Sequence, residues 1–239
     1  DKGAHPMEDS PNEKLTAGLD GLPGRLAEYA SLGAVFAKWR AVITIGDGIP
    51  TDACIKADAE ALAHYAKDVQ DAGMVPIVEP EVLMDGDHTI ERCEEVTGRT
   101  LDAVYDALAF KGVVLEGTLL KPNMVLSGKD CPQQASVQEV AEATIRCLLA
   151  HVPPEVPGIV FLSGGQSDVE ATEHLNAMNA LGVDLPWEVS FSYGRALQAP
   201  VLAAWQGDAA RVEQAQAAYL HRARCNGAAR DGSWSVAME

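Results

Sequence analysis

Five short apolar runs, separated by longer stretches of helical period, constrain this chain more than any other feature. The runs are Val35–Ile45, Met74–Pro80, Gly112–Leu120, Gly158–Leu162 and Glu188–Ser192. They recur at intervals of roughly 30 to 45 residues, the length of one strand-plus-helix unit. Between them, Thr51–Ala72 sets Ile55, Leu62, Tyr65, Ala66 and Val69 on one helical face. Ser136–Glu139 and Ser167–Glu170 are capping boxes, in which a serine and a glutamate satisfy each other's free backbone N–H groups at a helix start. Arg25–Leu32 reads as a short helix before the first strand, and Ala209–Arg224 as a final one. Parallel strands cannot be joined by a tight turn and need a crossover element, so this alternation predicts a parallel sheet with helices outside it. The expected fold is α/β in a single domain over residues 1–239. Residues 1–20 are expected as a loose leading loop and 209–239 as a C-terminal helix and tail. A whole (β/α)₈ barrel takes about 250 residues, so the length fits, but five strands are legible and not eight.

Charge and cysteine usage narrow the partners. A formal net charge of -17 makes the chain one that nucleic acid and anionic membrane surfaces repel, and no basic stretch reverses this locally. The 5 cysteines are scattered with no CxxC pair, which points to free thiols in a reducing compartment. The 6 histidines show no ligand spacing, so neither a zinc site nor a metal cofactor is expected. No apolar run is long enough to cross a bilayer and no secretory signal opens the chain, so the cytoplasm is the expected location. The chain begins Asp1-Lys2-Gly3 and not with methionine, as a processed or incomplete chain would.

Polar residues cluster at the C-terminal ends of the strands, where α/β barrels build their sites. Lys38 and Arg40 are two apart and share one side of the first strand, as Glu79 and Glu81 do after the second. Read alone, the two cations suit a guarded edge strand as well as a site, and the two carboxylates suit helix capping as well as proton transfer. Lys121 follows a long apolar run and precedes Pro122. Two readings stand for it alone: a buried stem whose charge reaches water, or an amine that desolvation and a neighbouring lysine free to attack a carbonyl. The fourth strand ends Ser163-Gly164-Gly165-Gln166-Ser167 and the fifth Ser192-Tyr193-Gly194-Arg195-Ala196. Gly-containing turns before helix starts expose backbone N–H groups that suit phosphate, although a glycine there also simply makes a tight turn.

Taken together, Phe36-Ala37-Lys38-Trp39-Arg40, Ile77-Val78-Glu79-Pro80-Glu81, Glu116–Met124, Phe161–Ser167 and Phe191–Gln198 resemble, in order and spacing, the signature segments of class I fructose-1,6-bisphosphate aldolases. Gly18–Leu22 and Gly86-Asp87-His88 resemble that family too. The resemblance implies a TIM (β/α)₈ barrel of which this chain holds about the last five units. Three earlier strands, with an aspartate base and a further lysine, would lie outside it. It implies that Lys121 forms a Schiff base with the ketone of a sugar bisphosphate. Glu79 would shuttle protons, Lys38 would position substrate, and Glu81 would orient the lysine cluster. Arg40 would contact the distal phosphate, and Ser163, Gly164, Gly165, Ser192, Gly194 and Arg195 the C1 phosphate. The implied reaction yields dihydroxyacetone phosphate and glyceraldehyde 3-phosphate without metal or cofactor, the iminium acting as electron sink. The family also carries a C-terminal tyrosine that this chain's last residues, Ser235–Glu239, do not show. A homotetramer is the implied assembly. Two other functions stand beside this one: a phosphate-binding or assembly module without catalysis, and an aldolase for a related sugar such as fructose 1-phosphate.

Overall fold

The computed structural model describes residues 2–239. The chain opens with an antiparallel hairpin, β1 (Ala4–Met7) and β2 (Ser10–Thr16), where the sequence had suggested a loop. Its pattern carries no apolar alternation because polar groups anchor it. The Glu13 carboxylate accepts from the N–H and the hydroxyl of Thr51, both at 2.7 Å, and the Thr16 hydroxyl donates to the Arg40 carbonyl at 2.6 Å. Helix α1 (Leu22–Ser31) follows, with Pro23 in its first turn, where a missing N–H costs nothing.

The rest is repeated strand and helix: β3 (Phe36–Ile43), α2 (Asp52–Asp71), β4 (Val75–Val82), α3 (Ile90–Phe110), β5 (Leu119–Leu120), α4 (Val137–His151), β6 (Gly158–Phe161), α5 (Asp168–Asn179), β7 (Glu188–Phe191), α6 (Arg195–Trp205) and α7 (Val212–Arg230). The five strands β3 to β7 form one parallel sheet in strictly sequential order. A doubly wound sheet reverses its order partway and carries helices on both faces. Sequential order with crossovers of one hand keeps the helices on one face, which is how a barrel grows. Accordingly α2 packs on α3, α3 on α4, and α4 on α5.

Alternation along the strands divides the sheet into two chemistries. The helix-facing side is the core. Trp39, Ala41 and Val78 pack with Leu62, Ala63 and Ala66 of α2. Leu120, Ile159, Phe161 and Val189 pack with Ile145, Leu148 and Leu175 of α4 and α5. Each large aliphatic side chain so buried contributes about 1.5–3 kcal/mol. The opposite side collects charge. Arg40 pairs in register with Glu79, Val42 with Glu81, and Ile77 with Leu119, so Lys38, Arg40, Glu79, Glu81 and Lys121 all point the same way.

Within this repeat, some elements depart from expectation. The strand expected over Gly112–Leu120 is only Leu119–Leu120, preceded by a 3₁₀ turn at Leu115–Gly117. The Gln70 side chain takes the Val114 N–H at 3.0 Å and donates to the Val114 carbonyl at 2.8 Å, so this backbone is satisfied without a ladder. Helix α3 was not identified from the sequence, and α6 was foreseen only as a helix start after Gly194, without its extent. The Thr89 hydroxyl caps α3, and Cys93, Val96, Leu101, Val104 and Leu108 line its buried face at helical spacing. The final helix begins at Val212 after a 3₁₀ turn and runs to Arg230, past the expected Arg224.

Candidate active site

The Lys121 side chain is where three strands converge. Its N–H continues the ladder by donating to the Val78 carbonyl at 2.8 Å, which fixes the alternation and aims the side chain to the charged face. Its ammonium lies 3.3 Å from Oε1 of Glu79, and the Lys121 side chain is 11% exposed. Glu79, one strand over, is 4% exposed and reaches a second ammonium, that of Lys38 on β3, 2.9 Å from Oε2. The Lys38 contact is close in distance but not aligned as a hydrogen bond, so Oε2 keeps an unused acceptor position. A carboxylate this buried persists as an ion only when paired, and here one carboxylate bridges two amines.

Arg40 forms its ion pair with Glu81. The structure therefore couples Glu81 to the guanidinium, whereas the sequence had suggested the lysine cluster. Arg40, expected at a distal phosphate, is 43% exposed and carries that same carboxylate. The cluster of Lys38, Arg40 and Lys121 against Glu79 and Glu81 counts 3 cations to 2 carboxylates. In a chain of net charge -17 this local excess is the kind of field that draws in an anionic substrate.

The other predicted residues occupy the ends of the next two strands. The Leu162 N–H donates to the Pro122 carbonyl at 3.2 Å, binding the end of β6 to the segment after Lys121. Ser163 is buried, and Gly164 and Gly165 follow with φ of 60° and 101°, a left-handed pair that side chains other than glycine resist. A Cβ on Gly165 would meet the Lys129 ammonium at 3.5 Å and the Arg195 guanidinium at 3.6 Å, so both cations face the backbone of this turn. The N–H of Ser192 is spent on the Phe161 carbonyl at 2.9 Å, which leaves its hydroxyl as the group it can offer. Gly194 is the N-cap of α6 and Arg195 its first residue, so the unpaired N–H groups of that helix start lie beside Arg195. Lys121 and the two glycine turns share the C-terminal edge of adjacent strands, about 5 Å apart per strand step.

Two contributing residues escaped sequence reasoning. Asn123 is buried; its Oδ1 accepts the Val82 N–H at 3.0 Å and its Nδ2 donates to the Thr97 hydroxyl at 3.1 Å, locking the Lys121–Met124 segment to β4 and α3. A lone amide in the apolar run Pro122–Leu126 was the available signal. Lys129 is held by its own N–H, which donates to the Met84 carbonyl at 2.8 Å, next to Gly128, where a Cβ would lie 2.3 Å from the Gly86 carbonyl oxygen. Its ammonium also pairs with Asp85 at 2.9 Å. The glycine before Lys129 and the Gly86-Asp87-His88 segment are one close approach seen from both sides.

Comparison with known proteins places the chain in a family. The family model for class-I fructose-bisphosphate aldolase matches residues 1–239. A protein of Xanthomonas campestris pv. campestris described as a probable fructose-bisphosphate aldolase class 1 is 57% identical over 235 residues, covering 98% of this chain and 70% of that one. The fructose-bisphosphate aldolase of Dictyostelium discoideum is 51% identical over 237 residues, covering 98% of this chain and 66% of its own. Among solved structures, the Plasmodium falciparum fructose-bisphosphate aldolase, determined in complex with TRAP and a small-molecule inhibitor, superposes with a TM-score of 0.96 at 50% identity. That match covers 98% of this chain and 68% of the other.

Proposed function

The chain belongs to the class I fructose-bisphosphate aldolase family, and on that premise we propose that it cleaves fructose 1,6-bisphosphate through a Schiff base on Lys121. The observation that carries the proposal is the buried Glu79 carboxylate standing 3.3 Å from the Lys121 amine and 2.9 Å from that of Lys38.

Schiff-base formation needs an amine that can lose a proton and a group that can take it. Glu79 is in hydrogen-bonding range of Lys121 and can accept that proton, then return it to the carbinolamine hydroxyl as water leaves. Lys38, on the other oxygen of Glu79, keeps the carboxylate in place and is exposed enough to reach substrate oxygens. The iminium formed from Lys121 and the C2 ketone withdraws electrons, so as Glu79, again a carboxylate, takes the proton of the C4 hydroxyl, the C3–C4 bond breaks with its electron pair delocalised into an enamine and C4 becomes an aldehyde. Glyceraldehyde 3-phosphate leaves. The enamine is then protonated and hydrolysed to dihydroxyacetone phosphate, which restores the lysine.

The same reading gives Ser163, Gly164 and Gly165, the Ser192 hydroxyl, Gly194 and Arg195 to one phosphate. Here glycine backbone can approach an oxyanion and Arg195 supplies charge. Arg40 contacts the other phosphate by exchanging its bond with Glu81 for one with substrate, and Glu81 steadies the cationic face through Arg40. We take the five units as the last five of an eight-unit barrel, a view supported by the sequential strand order and by the 70% of the Xanthomonas relative's length that the chain spans. The homotetramer and the cytosolic setting belong to the same proposal. The second is supported by 5 free, buried cysteines and by the lack, among the described residues, of any helix long and apolar enough to cross a membrane.

Borohydride reduction in the presence of dihydroxyacetone phosphate, followed by peptide mass mapping, tests the assignment. The expected result is one three-carbon phosphate adduct on the peptide containing Lys121, absent from Lys121→Met. An adduct on another lysine, or none from a chain that cleaves the bisphosphate, overturns it.

A further inference from the structure

We propose that the end of the chain forms a binding site for zinc or a similarly thiophilic divalent ion, built from His221, Cys225 and Glu239. Helix α7 carries His221 and Cys225 four residues apart, one turn along the same face. Beyond the helix the chain folds back through a 3₁₀ turn at Val236–Met238 and delivers Glu239 to that face. Nε2 of His221 lies 3.8 Å from Sγ of Cys225 and 3.6 Å from Oε2 of Glu239. All three donor atoms lie within 4.8 Å of one another.

The two His221 separations suit one ion, and a small movement of the third pair would complete the set. Zinc holds imidazole nitrogen at about 2.0–2.1 Å, thiolate sulfur at about 2.3 Å and carboxylate oxygen at about 2.0–2.2 Å in a tetrahedron, which sets donor atoms about 3.3–3.7 Å apart. The His221 distances already stand within a few tenths of an ångström of that range. The chemistry of the donors is also selective. A thiolate with an imidazole and one carboxylate favours zinc, cobalt or cadmium over magnesium or calcium, which want oxygen. His221 is 45% exposed on its side chain, so the site opens to solvent and leaves a fourth position for water.

A supporting layer of hydrogen bonds fixes the carboxylate. Arg222 is 3% exposed and pairs with Glu239, while its guanidinium also donates to the Asp168 carbonyl at 3.1 Å and to the Thr172 hydroxyl at 2.6 Å. The Trp234 indole donates to Oε1 of Glu239 at 3.1 Å, which turns Oε2 toward His221. Such outer partners orient metal ligands in zinc proteins. Arg222 and the ion would share Oε2, as a carboxylate oxygen with two lone pairs allows. The sequence showed no ligand pattern because the third donor is distant along the chain and only the fold-back joins it to the pair on α7. A bound ion would pin residues after α7 to the helix.

The test is a titration of the chelator-stripped chain with cobalt(II), then displacement by zinc. The expected result is one cobalt per chain, with the visible absorption of a tetrahedral ion and a thiolate charge-transfer band. Cys225→Ser should abolish that band, and His221→Ala should weaken zinc binding by at least about tenfold. Because His221 is half exposed, its truncation leaves the helix intact, which an unchanged far-ultraviolet circular dichroism spectrum verifies; this variant decides the matter should Cys225→Ser fail to fold. Hydrogen exchange in residues 231–239 should slow when zinc is added. An octahedral cobalt spectrum, a band that survives Cys225→Ser, or no uptake at micromolar metal overturns the proposal.

Discussion

The molecule buries carboxylates in two places and treats them in opposite ways. At the strand ends, Glu79 sits between the ammonium groups of Lys38 and Lys121. On the outer side, where β2 meets α2, Glu13 and Asp58 are both at most 2% exposed, and among the described residues no cation pairs with either. Glu13 is held by the Thr51 N–H and hydroxyl, and Asp58 by the Cys54 thiol at 3.6 Å, with its Oδ1 unpartnered. The first arrangement puts mobile protons between groups of opposite charge, which is a condition for acid–base chemistry. The second uses neutral donors that cannot exchange a proton near neutrality, so it can hold structure but cannot turn over. Burial alone therefore does not mark a catalytic carboxylate; the nature of its partner does.

If that distinction is right, damage at the first cluster should cost activity, and damage at the second should cost or gain only stability. The largest effect is expected from Lys121→Met, which removes the nucleophile while keeping an apolar stem of similar length. Bisphosphate cleavage should fall by roughly three orders of magnitude or more, with the thermal midpoint nearly unchanged. A variant that retains more than a tenth of the activity would break the comparison at its root. Next comes Glu79→Gln, which keeps the shape and loses the proton acceptor. Its kcat should fall by about 10²- to 10⁴-fold, and borohydride trapping should slow in parallel. An unchanged trapping rate would move the proton transfer to another group.

The two regions were not equally legible. The charged face could be read because its logic is local: Lys38 and Arg40, like Glu79 and Glu81, are two residues apart in strands, and period-two alternation fixes their side. Lys121 was readable by its position after an apolar run, although β5 itself proved only two residues long. The resemblance to a family, not periodicity, raised it above a snorkelling lysine. The hairpin was invisible because Glu13 draws its reason from Thr51, 38 residues away, and no local pattern encodes that bond. The Arg40–Glu81 pairing was hidden for a like reason. Alternation says which face a residue takes but not which neighbour on that face it chooses. Lys129 is the same case again, aimed by a backbone approach of Gly128 to Gly86 that neither glycine announces alone.

At the outer cluster the larger of the two expected effects belongs to Asp58. Burial pushes its carboxyl up to about 7, and the nearby Glu13 charge adds to this, while the Cys54 thiol offsets only part. The unfolded carboxyl titrates near 3.9, so the folded state holds a proton on Asp58 between about pH 4 and 7 that the unfolded state does not. Stability from this group is thus present below about pH 4 and is lost as pH rises through 7. Asp58→Asn, which cannot ionise, should remove that slope and leave the variant more stable than the parent at pH 8 by on the order of 2–4 kcal/mol. Denaturant melts at pH 5 and pH 8 read this directly. A parent whose stability rises between those two points would show that Asp58 is paired as Glu79 is.

Glu13 should show the reverse sign and the smallest effect. Burial raises its carboxyl, but the hydrogen bonds from the Thr51 N–H and hydroxyl outweigh burial and hold it below the usual carboxylate range. Its contribution is therefore complete at neutral pH and is lost as pH falls through its lowered folded value. Glu13→Gln keeps one acceptor oxygen and gives up both the charge and one of the two bonds, so about 1–2 kcal/mol should disappear at pH 7. Little further should be lost on acidification, because the titrating group is gone. Since β2 is tied to α2 through this residue, hydrogen exchange should quicken in Ser10–Thr16, while the rate of bisphosphate cleavage holds. A fall in that rate without faster exchange would mean that the outer cluster reaches the strand ends after all, and the two carboxylate regions would have to be treated as one.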